Sequence, residues 1–260
     1  MPRQTAGGLL AGNVSISLGA DGEPQATLIH PNGGTCVVAV RGARVVSWRP
    51  AEALEERLEA EAGGIAPCRV DCVPATAWDI EPPRVGLSGE GAVVFSLFAE
   101  AAPASPEQAA AAGAAMPGPT APLNARYTVS LWPKRLAVEL DIANVAGEGE
   151  GDVSGAPPAE VAGARLHLAR HGLRGCLRGG EASGAKAAGG AGGAAATEAA
   201  LGALGLRLRT MGYADVAARP AMGAGGGGGG GPVEFEALAP VEVALAPGEA
   251  VSGSVTLESA

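Results

Sequence analysis

The stretch Arg135–Ala143, RLAVELDIA, alternates apolar and polar side chains from end to end. That period places Leu136, Val138, Leu140 and Ile142 on one face of a strand and Glu139 and Asp141 on the other, whereas a helix would scatter them around its axis. Just upstream, Ala125–Leu131 (ARYTVSL) alternates in the same way, and Trp132-Pro133-Lys134 supplies the reversal between the two runs. Together they predict a half-buried antiparallel hairpin.

Shorter runs repeat the pattern. Val14–Leu18, Gln25–Ile29, Cys36–Val40 and Ala43–Trp48 are separated by Gly19-Ala20-Asp21-Gly22, Pro31-Asn32-Gly33-Gly34 and Arg41-Gly42. Thr76–Ile80, Arg84–Leu87 and Ala92–Ala99 continue the series, with short strands expected at Ala164–Leu168 and Gly172–Leu177. The closing block Val233–Leu257 contains VEFEAL, VEVAL and VSGSVTL. Short strands with turns between them indicate an all-β chain folded as a large antiparallel β-sandwich. Ala51–Ala62 (AEALEERLEAEA) departs from this. Its residues favour a short surface helix closed by Gly63-Gly64.

Between the strands the sequence is poor in large side chains. The chain has 260 residues, with 42 Gly and 20 Pro but only three Trp, two Tyr and three Phe. Much of its 47% hydrophobic content is alanine, so the core is expected to be smaller than the length suggests. A single domain over 13–260 is expected, interrupted by Ala/Gly-rich disordered insertions at about 101–122, 147–158, 179–205 and 223–232. The last holds seven consecutive glycines, Gly225–Gly231, which cannot repay their ordering entropy.

A net charge of −9 argues against binding nucleic acid by phosphate neutralisation. No apolar run reaches the length of a transmembrane helix, and the N-terminus has no apolar signal core, so an intracellular setting is expected, in cytosol or plastid. Cys68-Arg-Val-Asp-Cys72 has the spacing of half a zinc site, but Cys36 and Cys176 stand apart and the histidines are His30, His167 and His171. Reduced thiols and no metal are expected. Gly190-Ala-Gly-Gly-Ala-Ala195 matches a dinucleotide-binding pattern without the preceding strand it needs, although a helix could follow over Ala194–Leu204. No cofactor is expected.

The strand blocks resemble the galactose-mutarotase-like superfamily, in particular its aldose 1-epimerase and glucose-6-phosphate 1-epimerase branch. Four stretches carry the likeness: Leu28–Pro31 with Val40–Trp48; Trp78–Ile80 with Val93–Leu97; Tyr127–Leu131 with Leu136–Asn144; and Glu236–Glu249 with Val251–Leu257. They cover roughly half the chain, in the family's order. The resemblance implies a hexose or hexose phosphate as ligand and a glutamate–histidine pair that opens the sugar ring. One group takes a proton at the anomeric hydroxyl while the other gives one at the ring oxygen.

Glu236 is the best match to the glutamate, with Glu234 on the same strand face. His167 matches the histidine, with His171 as a rival. Leu166-His167-Leu168 precedes Gly172-Leu173-Arg174-Gly175 by fewer residues than in the family, and the Thr-Tyr-Phe portion of that strand is absent. The substrate loop expected between Trp48 and Trp78 is replaced, leaving Arg69 as the arginine near its expected place and no histidine. Without paired arginines, bidentate phosphate recognition is hard to arrange there. The resemblance therefore implies a catalytically degenerate member that binds sugar or docks a protein partner, the alternative being an active epimerase.

Overall fold

The computed structural model describes residues 13–53, 55–58, 64–68, 78–86, 88–100, 122–146, 166–168, 171–178, 201–202, 204–220, 232–239 and 243–259. These residues form β1 (Asn13–Leu18), β2 (Pro24–Ile29), β3 (Thr35–Ala39), β4 (Arg44–Arg49), β5 (Ile65–Cys68), β6 (Asp79–Ile80), β7 (Arg84–Val85), β8 (Gly91–Glu100) and β9 (Pro122–Leu131). They continue with β10 (Arg135–Asn144), β11 (Leu166–Leu168), β12 (Gly172–Leu177), β13 (Leu206–Met211), β14 (Asp215–Pro220), β15 (Val233–Leu238), β16 (Val243–Leu245) and β17 (Ala250–Ser259). All their pairings are antiparallel.

Two large sheets result. One has eight strands in the order β1-β2-β3-β4-β5-β12-β15-β14; the other has seven, β13-β17-β10-β9-β8-β6 with β7 also on β8. β11 and β16 form a separate two-stranded ladder. The sheets enclose one hydrophobic cluster. Leu28, Val38, Val45, Trp48, Ile65, Leu173 and Phe235 enter it from one side, and Phe95, Tyr127, Val129, Leu140 and Val255 from the other. Tyr127 spans the gap, its hydroxyl donating to the Ile65 carbonyl at 3.2 Å. The alternation that predicts the hairpin is the alternation that packs: every second residue of β9 and β10 is buried. The architecture is the antiparallel β-sandwich expected from the strand pattern.

Glycines admit the rings. A Cβ on Gly175 would lie 2.6 Å from Phe235 Cζ and 2.9 Å from Ile65, and one on Gly253 would lie 2.7 Å from the Tyr213 hydroxyl. A chain with so few aromatics seats two of them directly on backbone.

Several local expectations are corrected. In 51–62, the described residues 51–53 and 55–58 run as turns and bends, with a bridge between Leu58 and Leu177 in place of a helix. Leu58 is buried in the core, and that tertiary contact outweighs helix propensity. β5, β13 and β14 were not foreseen, and β9 begins at Pro122, earlier than expected. Leu201 and Leu204, inside the third Ala/Gly-rich stretch, belong to the core, and residues 201–202 are helical. The rest of that stretch that is not described, together with 101–121, 147–158 and 223–231, lies outside the described residues. So do Arg69, Cys72, Thr76 and Ala77. No described helix is long and apolar enough to cross a membrane.

Candidate functional site

Glu236 is on β15, opposite Arg174 of β12 on one side and Ala217 of β14 on the other. Phe235 and Ala237 point into the core, so alternation turns Glu236 and Glu234 to the outer face of the eight-stranded sheet. Glu236 is half-buried there. The buried thiol of Cys68, on β5, points at Glu236 Oε1 with the sulfur 4.0 Å away. Cys176 is on β12 opposite Glu234. Cys36, Cys68 and Cys176 are buried free thiols. Burial, reinforced by Glu56, pushes the Cys36 thiol well above its ordinary range.

Of the histidine candidates, His171 directly precedes β12 and His167 lies on β11. His171 is buried, its ring edge-on to Tyr213 with centroids 6.5 Å apart. Its carbonyl accepts from Ala239 N–H at 2.8 Å. His167 is paired with Ala244 of β16, in a different sheet from Glu236. Arg69 follows β5 directly and is outside the described residues. The third histidine, His30, closes a turn: its Nδ1 accepts from Asn32 N–H at 3.1 Å, and its backbone N–H donates to Gly34 at 2.8 Å. No group of three or more metal-ligating side chains occurs among the described residues.

Tyr213, beside His171, carries a buried hydroxyl with no hydrogen-bond partner among the described residues. Burial pushes its ionisation well up, with Cys68, Asp141 and Glu139 adding to the effect. A phenol held neutral in this way is a weak proton donor at neutral pH.

Sequence reasoning missed Arg174 as Glu236's neighbour. The available signal was a single charged residue inside the otherwise apolar strand GLRGCL.

No family model matches the chain, and no curated protein matches it. Solved structures do. A galactose mutarotase-like protein from Clostridium acetobutylicum superposes with a TM-score of 0.61 at 9% identity, covering 95% of this chain and 98% of that one. Galactose 1-epimerase from Lactobacillus acidophilus gives 0.53 at 11% identity, over 96% and 98%. The 4-alpha-glucanotransferase of Thermococcus litoralis gives 0.50 at 7%, over 96% of this chain and 40% of that one. These names span different activities, and at such identities the likeness speaks to architecture alone. Sheet order, shared core and these superpositions establish that the chain has the galactose mutarotase-like fold.

Proposed function

We propose that this chain is a carbohydrate-binding protein of the aldose 1-epimerase type, related to the glucose-6-phosphate 1-epimerases, that holds a hexose against Glu236 without interconverting its anomers. The observation that carries the reading is the company Glu236 keeps. A half-buried carboxylate can accept hydrogen bonds from sugar hydroxyls. Anomer exchange further needs a group that gives a proton to the ring oxygen. Across the ladder from Glu236 stand Arg174 and Ala217. A guanidinium donates hydrogen bonds but does not surrender a proton near neutral pH. His171 is packed in the core against Tyr213, and His167 belongs to the β11–β16 ladder. The likeness to a galactose 1-epimerase supports a hexose as ligand.

The test is exchange NMR on equilibrated anomers of galactose and glucose 6-phosphate with the purified protein. Saturation transfer from protein to sugar is expected, with no gain in the rate of anomer exchange. Accelerated exchange that disappears in Glu236→Gln would make the protein an active aldose 1-epimerase using Glu236 with His167 or His171. Absence of transfer to any hexose would remove the sugar reading and leave docking of a protein partner.

A further inference from the structure

Each large sheet ends in two edges that no other strand covers among the described residues. Three of these four edges carry features that keep one sheet from adding to another. β14 (DVAARP) has Asp215, Arg219 and Pro220 in its sequence, and β13 (LRLRTM) has Arg207 and Arg209. β6, with β7 beside it, is only two residues long. β1 has none of these protections. Its sequence, NVSISL, contains no charge and no proline, and it pairs with β2 in one unbroken register.

The hydrogen bonds of the β1–β2 turn decide which backbone groups of β1 are left open. Gly19 N–H donates to the Glu23 carbonyl at 2.8 Å, one step beyond the Leu18–Pro24 pair. Bonded pairs alternate along an antiparallel ladder, so Ser17 and Ser15 also direct their backbone groups to β2. The Pro24 carbonyl accepts from Val40 N–H at 3.0 Å, on the side away from β1, which agrees with this phase. The N–H and C=O groups of Val14, Ile16 and Leu18 therefore point along the open edge. Their side chains share the inner face of the sheet with their β2 partners Leu28, Ala26 and Pro24. Val14 packs on the core, and a Cβ on Gly91 would lie 3.3 Å from its Cγ2. Cover ends there, because Ile16 is 50% exposed and Leu18 72%. Val85, paired with Gly91, adds a third exposed aliphatic side chain at this rim.

We propose that β1 is an interface whose partner is β1 of a second copy, joined antiparallel about a two-fold axis at Ile16. The strand is complementary to itself in that register. Ile16 meets Ile16 of the second copy, and Val14 meets its Leu18. These are the residues with open backbone groups, so the pairs exchange about six hydrogen bonds. The aliphatic side chains then meet on one face, and Ser15 stands opposite Ser17 on the other. Only this register uses all three open residues. No charge is buried, although the net charge of −9 makes two copies repel elsewhere. β1 is at the far end of the sheet from β15, so the pairing leaves Glu236 uncovered and stands apart from the sugar-binding reading.

Sedimentation velocity on the full chain over a concentration series tests this. A reversible monomer–dimer equilibrium is expected, weak because a single strand edge is a small contact. Ile16→Lys sets two ammonium groups opposite each other at the axis and should weaken association by about tenfold or more. Its melting temperature when dilute should stay near that of the parent, since Ile16 is half exposed. The two Ile16 Cα atoms would stand about 5.5 Å apart, within reach of a disulfide, so Ile16→Cys should cross-link on mild oxidation. Leu18→Cys should not, because its two copies lie about 14 Å apart along the strands. Cys36, Cys68 and Cys176 are buried, and the parent oxidised in parallel sets the background. A chain that stays monomeric up to on the order of a millimolar would overturn the proposal. So would a dimer indifferent to Ile16→Lys, or one that Leu18→Cys links as readily as Ile16→Cys. Should Ile16→Lys not fold, the two cysteine variants decide.

Discussion

β9, β10 and β17 of one sheet and β5, β12 and β15 of the other each bury a face in the same core, but they are built on different lines. The first three run ten residues each in continuous register. Two charges of their outer surface find partners within it: Arg126 grips Glu81 with two bonds of 3.2 and 2.9 Å, and Ser252 donates to Glu139 at 3.3 Å. The second three run four to six residues, with Gly175 in the core layer. Their outer surface sets Arg174 opposite Glu236 without an ion pair between them. Long uniform strands make a scaffold; the short strands carry a guanidinium that forms no ion pair among the described residues.

The difference can be broken first at the scaffold. Leu140 is buried between Tyr127 on β9 and Gly253 on β17. Leu140→Ala should cost about 2–5 kcal/mol, read as a fall in the urea midpoint at unchanged slope. A loss under about 1 kcal/mol would mean that these strands are not the rigid half. The second block gives way differently, by overfilling. Gly175→Ala adds a methyl against Phe235 and Ile65, neither of which has open space to retreat into, and about 1–3 kcal/mol should be lost.

The interior between the blocks responds to alkali. Burial first, then Cys36 and Tyr213, raises the Tyr127 ionisation; Tyr213 and Cys36 are raised likewise. Below the ordinary values of 9.0 for the thiol and 10.0 for the phenols, both folded and unfolded chains are protonated and the stabilisation is complete. Above them the unfolded chain releases protons that the folded chain retains, so stability falls as pH rises. Melting temperature should decline steadily above about pH 9–10, and Tyr213→Phe should flatten the decline. A flat profile to pH 11 would show these groups to be wetter than the packing implies.

The two blocks also differ in how much of them was legible. β9 and β10 are local: their pattern, turn and register lie within one short stretch, and periodicity alone finds them. β1 to β4 follow for the same reason, their turns marked by Gly, Asn and Pro. β5 is IAPC, with a proline and no alternation, and it becomes a strand only because β4 and β12 flank it. Leu58 looked helical in its own neighbourhood, yet its partner Leu177 is far along the chain. Glu236 could be singled out from its family-like surroundings. Arg174 could not, because the β12–β15 register depends on Gly175 receiving the Phe235 ring, a fit that no single-chain pattern reveals. His167 and Glu236 match a catalytic pair in their order along the chain, and the structure places them on the β11–β16 ladder and the eight-stranded sheet respectively.

The smallest expected effect separates the two outer faces most sharply. Arg126→Ala removes a two-bond grip on Glu81 at a half-exposed site, where the loss should be about 0.2–1 kcal/mol and shrink with added salt. Glu81 would keep Arg84, at 3.3 Å, which limits the damage further. Arg174→Ala removes an exposed guanidinium with no described ion-pair partner, so stability without ligand should stay within about ±0.5 kcal/mol of the parent. Paired urea titrations at two salt concentrations read both variants. If Arg174→Ala cost as much as Arg126→Ala and showed the same salt dependence, Arg174 would be an ordinary structural partner of Glu236. The second face would then be as self-satisfied as the first.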